Sequence, residues 1–259
     1  MTTRQDGFTD PRIVPHESVT ERESRERLAQ LLAETPVPNH YLIDNLPVYL
    51  RRQQLSDLLA MDRLYQVAMP VPGVFMEFGV LHGRHLATLT ALRGIYEPYN
   101  SVRRIIGFDT FTGFPDISPV DQVSASAVVG RFATETDFPQ HLRDVLAAHE
   151  LGEPMGHIQR TLVMEGDVRE TLPRYLADNP ETVIAMAYFD LDLYDSTRET
   201  LKLVLPYLSK GSILAFDELN HPKWPGETAA LRDVLDLSQV RLHQLPGREP
   251  PVVYLRWND

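Results

Sequence analysis

The chain of 259 residues contains no cysteine. Disulfides, thiolate metal sites and cysteine nucleophiles are excluded together, and carboxylates and histidines are the metal ligands that remain. Runs of lysine and arginine are also missing, and the formal net charge is -11. That balance disfavours nucleic acid or an anionic membrane surface as the main partner. No stretch approaches about eighteen consecutive apolar residues. The first dozen residues, Met1 to Arg12, hold no apolar segment that could act as a signal sequence. A soluble, cytoplasmic protein is the expectation. With 43% hydrophobic residues the chain can bury a full core, and one large α/β domain is preferred to two small ones.

What is present centres on Phe75 to Gly83, Phe-Met-Glu-Phe-Gly-Val-Leu-His-Gly. An apolar strand breaks there into a glycine turn and then a helix. Gly79 and Gly83 lack the Cβ that would keep a ligand or a neighbouring backbone at a distance. Glu77, just before the first glycine, would repel a phosphate but attract a cationic group or a sugar hydroxyl. A dinucleotide pyrophosphate is therefore disfavoured. S-Adenosylmethionine, with an ammonium, a sulfonium and a ribose, suits such a turn.

Residues 1–69 read as an N-terminal arm and helical cap. The first twenty-odd are polar and aperiodic and suggest a mobile arm. Helical periodicity follows over Glu21 to Glu34 until Pro36 and Pro38 stop it, and one or two more helices fill Tyr41 to Ala68. The cap is expected to pack over the sheet, contribute to a cleft or pair with a second copy, so a homo-oligomer is anticipated.

Residues 70–259 read as the core. A helix over His85 to Tyr96 leads to a strand over Arg103 to Phe108 that ends at Asp109. Glu77 and Asp109 should then lie at neighbouring strand ends, where Asp109 could accept hydrogen bonds from both ribose hydroxyls or serve only as a turn or cap residue. The long connection from Phe111 to His157 opens with Thr110-Phe-Thr-Gly-Phe-Pro115, whose aromatics could pack on adenine or close over a substrate. A strand over Leu162 to Glu165 ends in Gly166-Asp167, with Asp167 either an N-cap or a contact for the adenine amino group.

An apolar strand from Val183 then runs into Asp190-Leu-Asp-Leu-Tyr-Asp-Ser-Thr. Asp190 and Asp192, two residues apart, would share one side of an extended backbone. A helix over Ser196 to Leu208 and a turn at Lys210-Gly211 lead to the strand Ser212 to Phe216, which finishes in Asp217-Glu218. Two adjacent strands thus each deliver a pair of acids, and converging carboxylates repel one another unless a cation or bound protons offset them. A divalent ion such as Mg2+ fits an all-oxygen set, with Asp190, Asp192, Asp217 and Glu218 as ligands. Asp190, Asp192 and His221 are the candidate catalytic bases, and His221 could equally sit in a surface loop. A helix over Glu227 to Leu237 and two final strands, separated by Pro246 to Pro251, predict an antiparallel ending on an otherwise parallel sheet.

In this order, the blocks Glu-Phe-Gly-Val-Leu-His-Gly, Gly-Phe-Asp-Thr-Phe-Thr-Gly-Phe-Pro, Gly-Asp-Val-Arg-Glu-Thr-Leu-Pro, Phe-Asp-Leu-Asp-Leu-Tyr-Asp-Ser-Thr and Asp-Glu resemble the macrocin O-methyltransferase family from about Pro70 onward. The resemblance implies a class I methyltransferase, Rossmann-like α/β fold with a mostly parallel seven-stranded sheet. It implies a cofactor site of Glu77, Phe78, Gly79, Gly83, Asp109, Thr110, Phe111, Gly166 and Asp167. It further implies metal-dependent, S-adenosylmethionine-dependent O-methylation of a sugar hydroxyl, one of a vicinal diol, on a glycosylated natural product in antibiotic biosynthesis. Leu191 stands where the family often has glycine, and Asp217-Glu218 where it often has two aspartates. A catechol-like acceptor, a role associated with antibiotic hydroxylation and a binding module without turnover are the rival readings. The last would gain nothing from mutually repelling acids.

Overall fold

The computed structural model describes residues 18–248 and 250–259. The polar arm expected at the N-terminus lies largely outside them. The chain divides into two compact units, residues 1–55 and 56–259.

In the first unit α1 (Val19–Ala33) starts two residues before the predicted helix because Ser18 and Glu21 close a capping box. Ser18 Oγ accepts from the Glu21 amide, and the Glu21 carboxylate accepts from the Ser18 amide. After the prolines come α2 (Asn39–Asn45) and a 3-10 turn over Leu46–Tyr49. Tyr41, Ile43 and Val48 are left exposed. The chain then enters α3 (Arg52–Ala68), whose last turns carry Met61, Leu64, Tyr65 and Ala68 into the core of the second unit.

That core surrounds a seven-stranded sheet in the order β3-β2-β1-β4-β5-β7-β6. The strands are β1 (Val74–Phe78), β2 (Ile105–Asp109), β3 (Thr161–Glu165), β4 (Ile184–Phe189), β5 (Leu208–Phe216), β6 (Leu242–Gln244) and β7 (Val253–Arg256). The five strands from β3 to β5 are parallel, and β7 runs antiparallel between β5 and β6, as the sequence predicts. β1 and β4 are buried at every residue. Central parallel strands covered on both faces need such apolar runs, which in β1 Glu77 interrupts.

Period-2 alternation sorts the side chains into two cores. Phe75, Ile105, Tyr188 and Ile213 pack beneath α3, α4 (Arg84–Tyr96) and α5 (Phe138–Leu151). Met76, Phe78, Phe108, Phe189 and Phe216 pack beneath α6 (Val168–Asp178), α7 (Tyr194–Val204) and α8 (Gly226–Val234). A three-layer αβα sandwich results.

The helix after β4 also departs from expectation. The helix expected to reach Leu208 stops at Val204, where Pro206, lacking an N–H, forces a 3-10 turn. Lys210 and Gly211 lie inside β5 rather than in a turn. They occupy an irregularity where the pairing shifts from Ile184–Leu208 to Met186–Ile213.

Candidate active site

The sheet's strand order reverses between β1 and β4, and the parallel strands all finish at one edge. Crevices at such switch points are the usual ligand sites of open α/β sheets. Backbone strain marks the same edge. Leu81 after β1, Phe111 after β2, Asp192 after β4 and Asn220 after β5 all have φ between 48° and 64°. Non-glycine residues held in the left-handed region cost free energy and cluster where the surrounding structure over-determines them.

Asp109 shows how one of these loops is held. One carboxylate oxygen accepts from the amides of Val80 and Leu81, both at 2.7 Å, and the other from Phe111 N at 2.7 Å. The acid at the end of β2 therefore shapes both the glycine turn after β1 and the start of its own loop. An asparagine in its place would keep one acceptor and turn an NH2 group toward either the paired amides or Phe111. Asp109→Asn is expected to lower stability by about 1–3 kcal/mol, read as a shift of the urea midpoint with unchanged slope.

The other residues assigned to the cofactor surround this latch. Phe78 stacks against Phe108 and meets Phe189 at a tilt, with both centroid distances at 5.2 Å. Its carbonyl accepts from Asp190 N. Gly79 and Gly83 both take positive φ, and Gly166 donates its N–H to Asp109 O. Thr110 donates its hydroxyl to Gly113 O at 2.7 Å, and Phe111 is buried. Asp167 is the N-cap of α6 and is gripped by the Arg169 guanidinium. Burial raises the Asp167 carboxyl, but Arg169 outweighs it and holds the group below its ordinary range.

Glu77 is buried on β1, and its Oε2 has no hydrogen-bond partner. Burial, then the charges of Asp190 and Asp109, push its carboxyl well above the ordinary value. A buried carboxyl with an unmet acceptor fits the ammonium of S-adenosylmethionine, which would supply both charge and donors.

The two acid pairs do meet. Phe189 pairs with Phe216 across β4 and β5, so Asp190 and Asp217 leave the sheet at the same level. The ladder continues through them, Asp190 N donating to Phe78 O and Asp217 N to Phe189 O. The reason is not the alternation expected from sequence, because the backbone at Asp192 is not extended. Asp192 is the centre of a γ-turn at φ 60°, with Leu193 N–H on Leu191 O at 2.6 Å. Asp190 and Asp192 both act electrostatically on Glu218 and on Glu227. His221 Nδ1 lies 3.5 Å from Glu218 Oε2.

The sequence marks Glu227 only as the start of a helix. It is fully buried and accepts from Leu191 N and Glu218 N, tying the loops after β4 and β5 together. A sequence signal exists in Gly226. A Cβ there would sit 2.3 Å from Asp192 O and 2.6 Å from Asp121 Oδ1, so only glycine lets α8 approach this closely. Asp121, which sequence reasoning also misses, accepts the Tyr194 amide at the start of α7 with both carboxylate oxygens.

Arg248, from the segment between β6 and β7, is likewise not singled out by the sequence. Its guanidinium forks onto both oxygens of Asp217, with Nη2 at 2.8 Å from Oδ2, and its Nε lies 3.0 Å from Asp57 Oδ1. The Tyr188 hydroxyl donates to the same Asp217 carboxylate. Asp57 in turn pairs with His85 Nε2 at 3.0 Å, and His85 Nδ1 lies 3.6 Å from Glu77. Burial raises the Asp217 carboxyl, but Arg248 outweighs it and holds the group well below the carboxylate range.

The acids expected around Mg2+ are thus engaged within the chain. Among the described residues no three His, Asp or Glu groups are disposed to hold a metal ion. The physical reason is that Asp217, a central member of the expected ligand set, spends both oxygens on Arg248. As arranged, the donors do not fit a divalent cation.

Burial, then Asp217, Asp192, Glu227 and Asp190, push the Glu218 carboxyl up to about 10. Burial and Asp217 likewise raise Glu227. These groups ionise near 4.5 in the unfolded chain but keep their protons in the folded one. Their contribution to stability is whole below pH 4.5 and drains as the pH climbs toward the Glu218 value of about 10. The ligand-free protein is therefore expected to lose about 5 °C or more of Tm between about pH 6 and about pH 9. Glu218→Gln should make that slope shallower in a thermal-denaturation series.

Comparison with known proteins agrees with the geometry. The family model described as a methyltransferase domain matches residues 76–219. A curated relative from Streptomyces olivaceus, 8-demethyl-8-(2,3-dimethoxy-alpha-L-rhamnosyl)-tetracenomycin-C 4'-O-methyltransferase, is 25% identical over 152 residues, 57% of this chain. The match spans about half, 53%, of that relative's length. The crystal structure of CalS11, a calicheamicin methyltransferase, is 56% identical over 100% of both chains with a TM-score of 0.92. An apo structure of CalS11, described as a TDP-rhamnose 3'-O-methyltransferase of calicheamicin biosynthesis, is 52% identical, covers 96% of this chain and 100% of its own, and has a TM-score of 0.83. The O-methyltransferase NovP, 17% identical over 91% of this chain and 96% of its own with a TM-score of 0.62, shares the fold. No helix among the described residues is long and apolar enough to cross a membrane. On the family match and the whole-length similarity together, the chain belongs to the methyltransferase-domain family and is a class I, S-adenosylmethionine-dependent O-methyltransferase.

Proposed function

We propose that this chain methylates a hydroxyl of a rhamnose-type sugar in the biosynthesis of a glycosylated natural product of the antibiotic kind. The observation that carries the reading is the 56% identity to CalS11 over the whole of both chains. CalS11 being a TDP-rhamnose 3'-O-methyltransferase favours a sugar presented as a nucleotide sugar over one already joined to an aglycone.

When bound, S-adenosylmethionine supplies a methyl group made electrophilic by its sulfonium. The chain's part is to orient donor and acceptor and to take up a proton. Glu77, the glycine turn, Asp109 and the loops after β2 and β3 would hold the donor. The acceptor would lie over the acids after β4 and β5. As the sugar oxygen forms its bond to the methyl carbon and the carbon–sulfur bond breaks, the hydroxyl proton must pass to a base. Glu218 is a poor base because it keeps its proton to about pH 10. Asp217 is a poor one because Arg248 holds its carboxyl well below the ordinary range. That leaves Asp190, Asp192 and His221 to receive the proton.

The test is incubation of the protein and S-adenosylmethionine with TDP-rhamnose, with a rhamnosylated natural product and with a catechol in parallel. S-Adenosylhomocysteine formed in step with a methylated sugar is the expected result. Turnover with the catechol alone, or none with any acceptor, would overturn the reading.

A further inference from the structure

We propose that Arg248 is the resident counter-ion of the acid cluster, and that its guanidinium and a divalent cation are mutually exclusive occupants of the Asp217 carboxylate. Five carboxyl groups, Asp190, Asp192, Asp217, Glu218 and Glu227, act on one another after β4 and β5. Such a set needs cationic charge, bound protons or both. Arg248 is a fixed cation supplied from within the chain.

The placement of Arg248 is built. Its side chain is 14% exposed and lies between two carboxylates that are themselves buried, Asp217 at the end of β5 and Asp57 on α3. The segment carrying it is tied to the same helix at two points just before Arg248. Ser56 Oγ donates to Gly247 O, and Arg63 Nη1 donates to Pro246 O at 3.1 Å. A planar fork of this kind satisfies both oxygens of a carboxylate at once, which a single ammonium cannot do. A hard cation bound through the same two oxygens would meet the guanidinium head-on, so entry of the ion requires Arg248 to leave. The segment between β6 and β7 then decides which charge sits beside the acceptor.

The proposal concerns the site of the methyl-transfer reading and rests on that reading for the site's purpose. Its test uses neither donor nor acceptor, so the two can fail separately. Mn2+ binding to the ligand-free full-length protein is measured by electron paramagnetic resonance for the wild type, Arg248→Gln and Arg248→Lys. The glutamine variant is expected to bind Mn2+ at least about tenfold more tightly than the wild type, with the lysine variant, which keeps the charge but loses the fork, in between. Equal or weaker binding by a folded glutamine variant would overturn the proposal.

If that variant does not fold, wild-type crystals grown in MnCl2 answer the same question by anomalous scattering. Manganese on Asp217 with Arg248 swung away, or an intact Arg248 pair with no manganese on Asp217, supports exclusion. Manganese on Asp217 with both guanidinium bonds in place refutes it.

Discussion

Asp217→Ala is expected to destabilise the protein by about 3–5 kcal/mol, because it strips the partner from a buried guanidinium. Asp217 is buried, takes both Nη atoms of Arg248 and accepts the Tyr188 hydroxyl. Without it Arg248 keeps its contact to Asp57 and a long bond to the Tyr188 hydroxyl at 3.3 Å, and Tyr188 loses its acceptor in a fully buried position. The pair itself need not be worth that much, since taking two charges out of water offsets most of their attraction. The asymmetry can be measured. The double variant Asp217→Leu with Arg248→Met should recover more than half of the loss in a urea-denaturation cycle. A loss within about 1 kcal/mol for Asp217→Ala would mean that the pair does not persist in solution.

The sheet was legible because its signals are local. Val74 to Phe78, apolar but for Glu77, and Ile184 to Phe189 are apolar runs, and such runs have few readings in an α/β chain. The level meeting of Asp190 and Asp217 followed from the same logic, since acids that end neighbouring parallel strands must emerge side by side. The γ-turn at Asp192 was not legible. Aspartate enters the left-handed region more readily than most residues, but within an acidic block its presence alone does not announce a turn. The long-range partners were hidden for a related reason. Arg248, Asp57 and Glu227 reach the cluster from a turn, a helix and a helix start far apart in sequence, and each reads in isolation as an ordinary surface charge. Charge balance among the acids points to a cation, and an arginine located beyond the last helix, which no local pattern announces, offsets part of that charge at Asp217.

Gly79→Ala should be the most damaging single-methyl change in the chain, with an expected loss above about 3 kcal/mol or no folded protein at all. At φ +89° the residue lies in the left-handed region, which by itself costs an alanine about 1–2 kcal/mol. The larger part is steric. A Cβ at this point would lie 1.9 Å from Asp190 O and 2.7 Å from Asp190 C. Neither backbone can yield, because Gly79 N donates to Phe108 O at 2.9 Å and Asp190 N to Phe78 O at 2.8 Å. Moving either strand end would break the ladder that aligns Glu77, Asp109 and Asp190. Gly130→Ala is the control. Gly130 has φ +78°, but a methyl group added to it would meet nothing within 4 Å, so it isolates the backbone cost. That variant should lose only about 1 kcal/mol and keep its binding of S-adenosylhomocysteine. If the two substitutions proved equally mild in thermal denaturation, β1 and β4 would have to part at their ends in solution. The close approach that sets the carboxylates in one place would then not be what holds the site together.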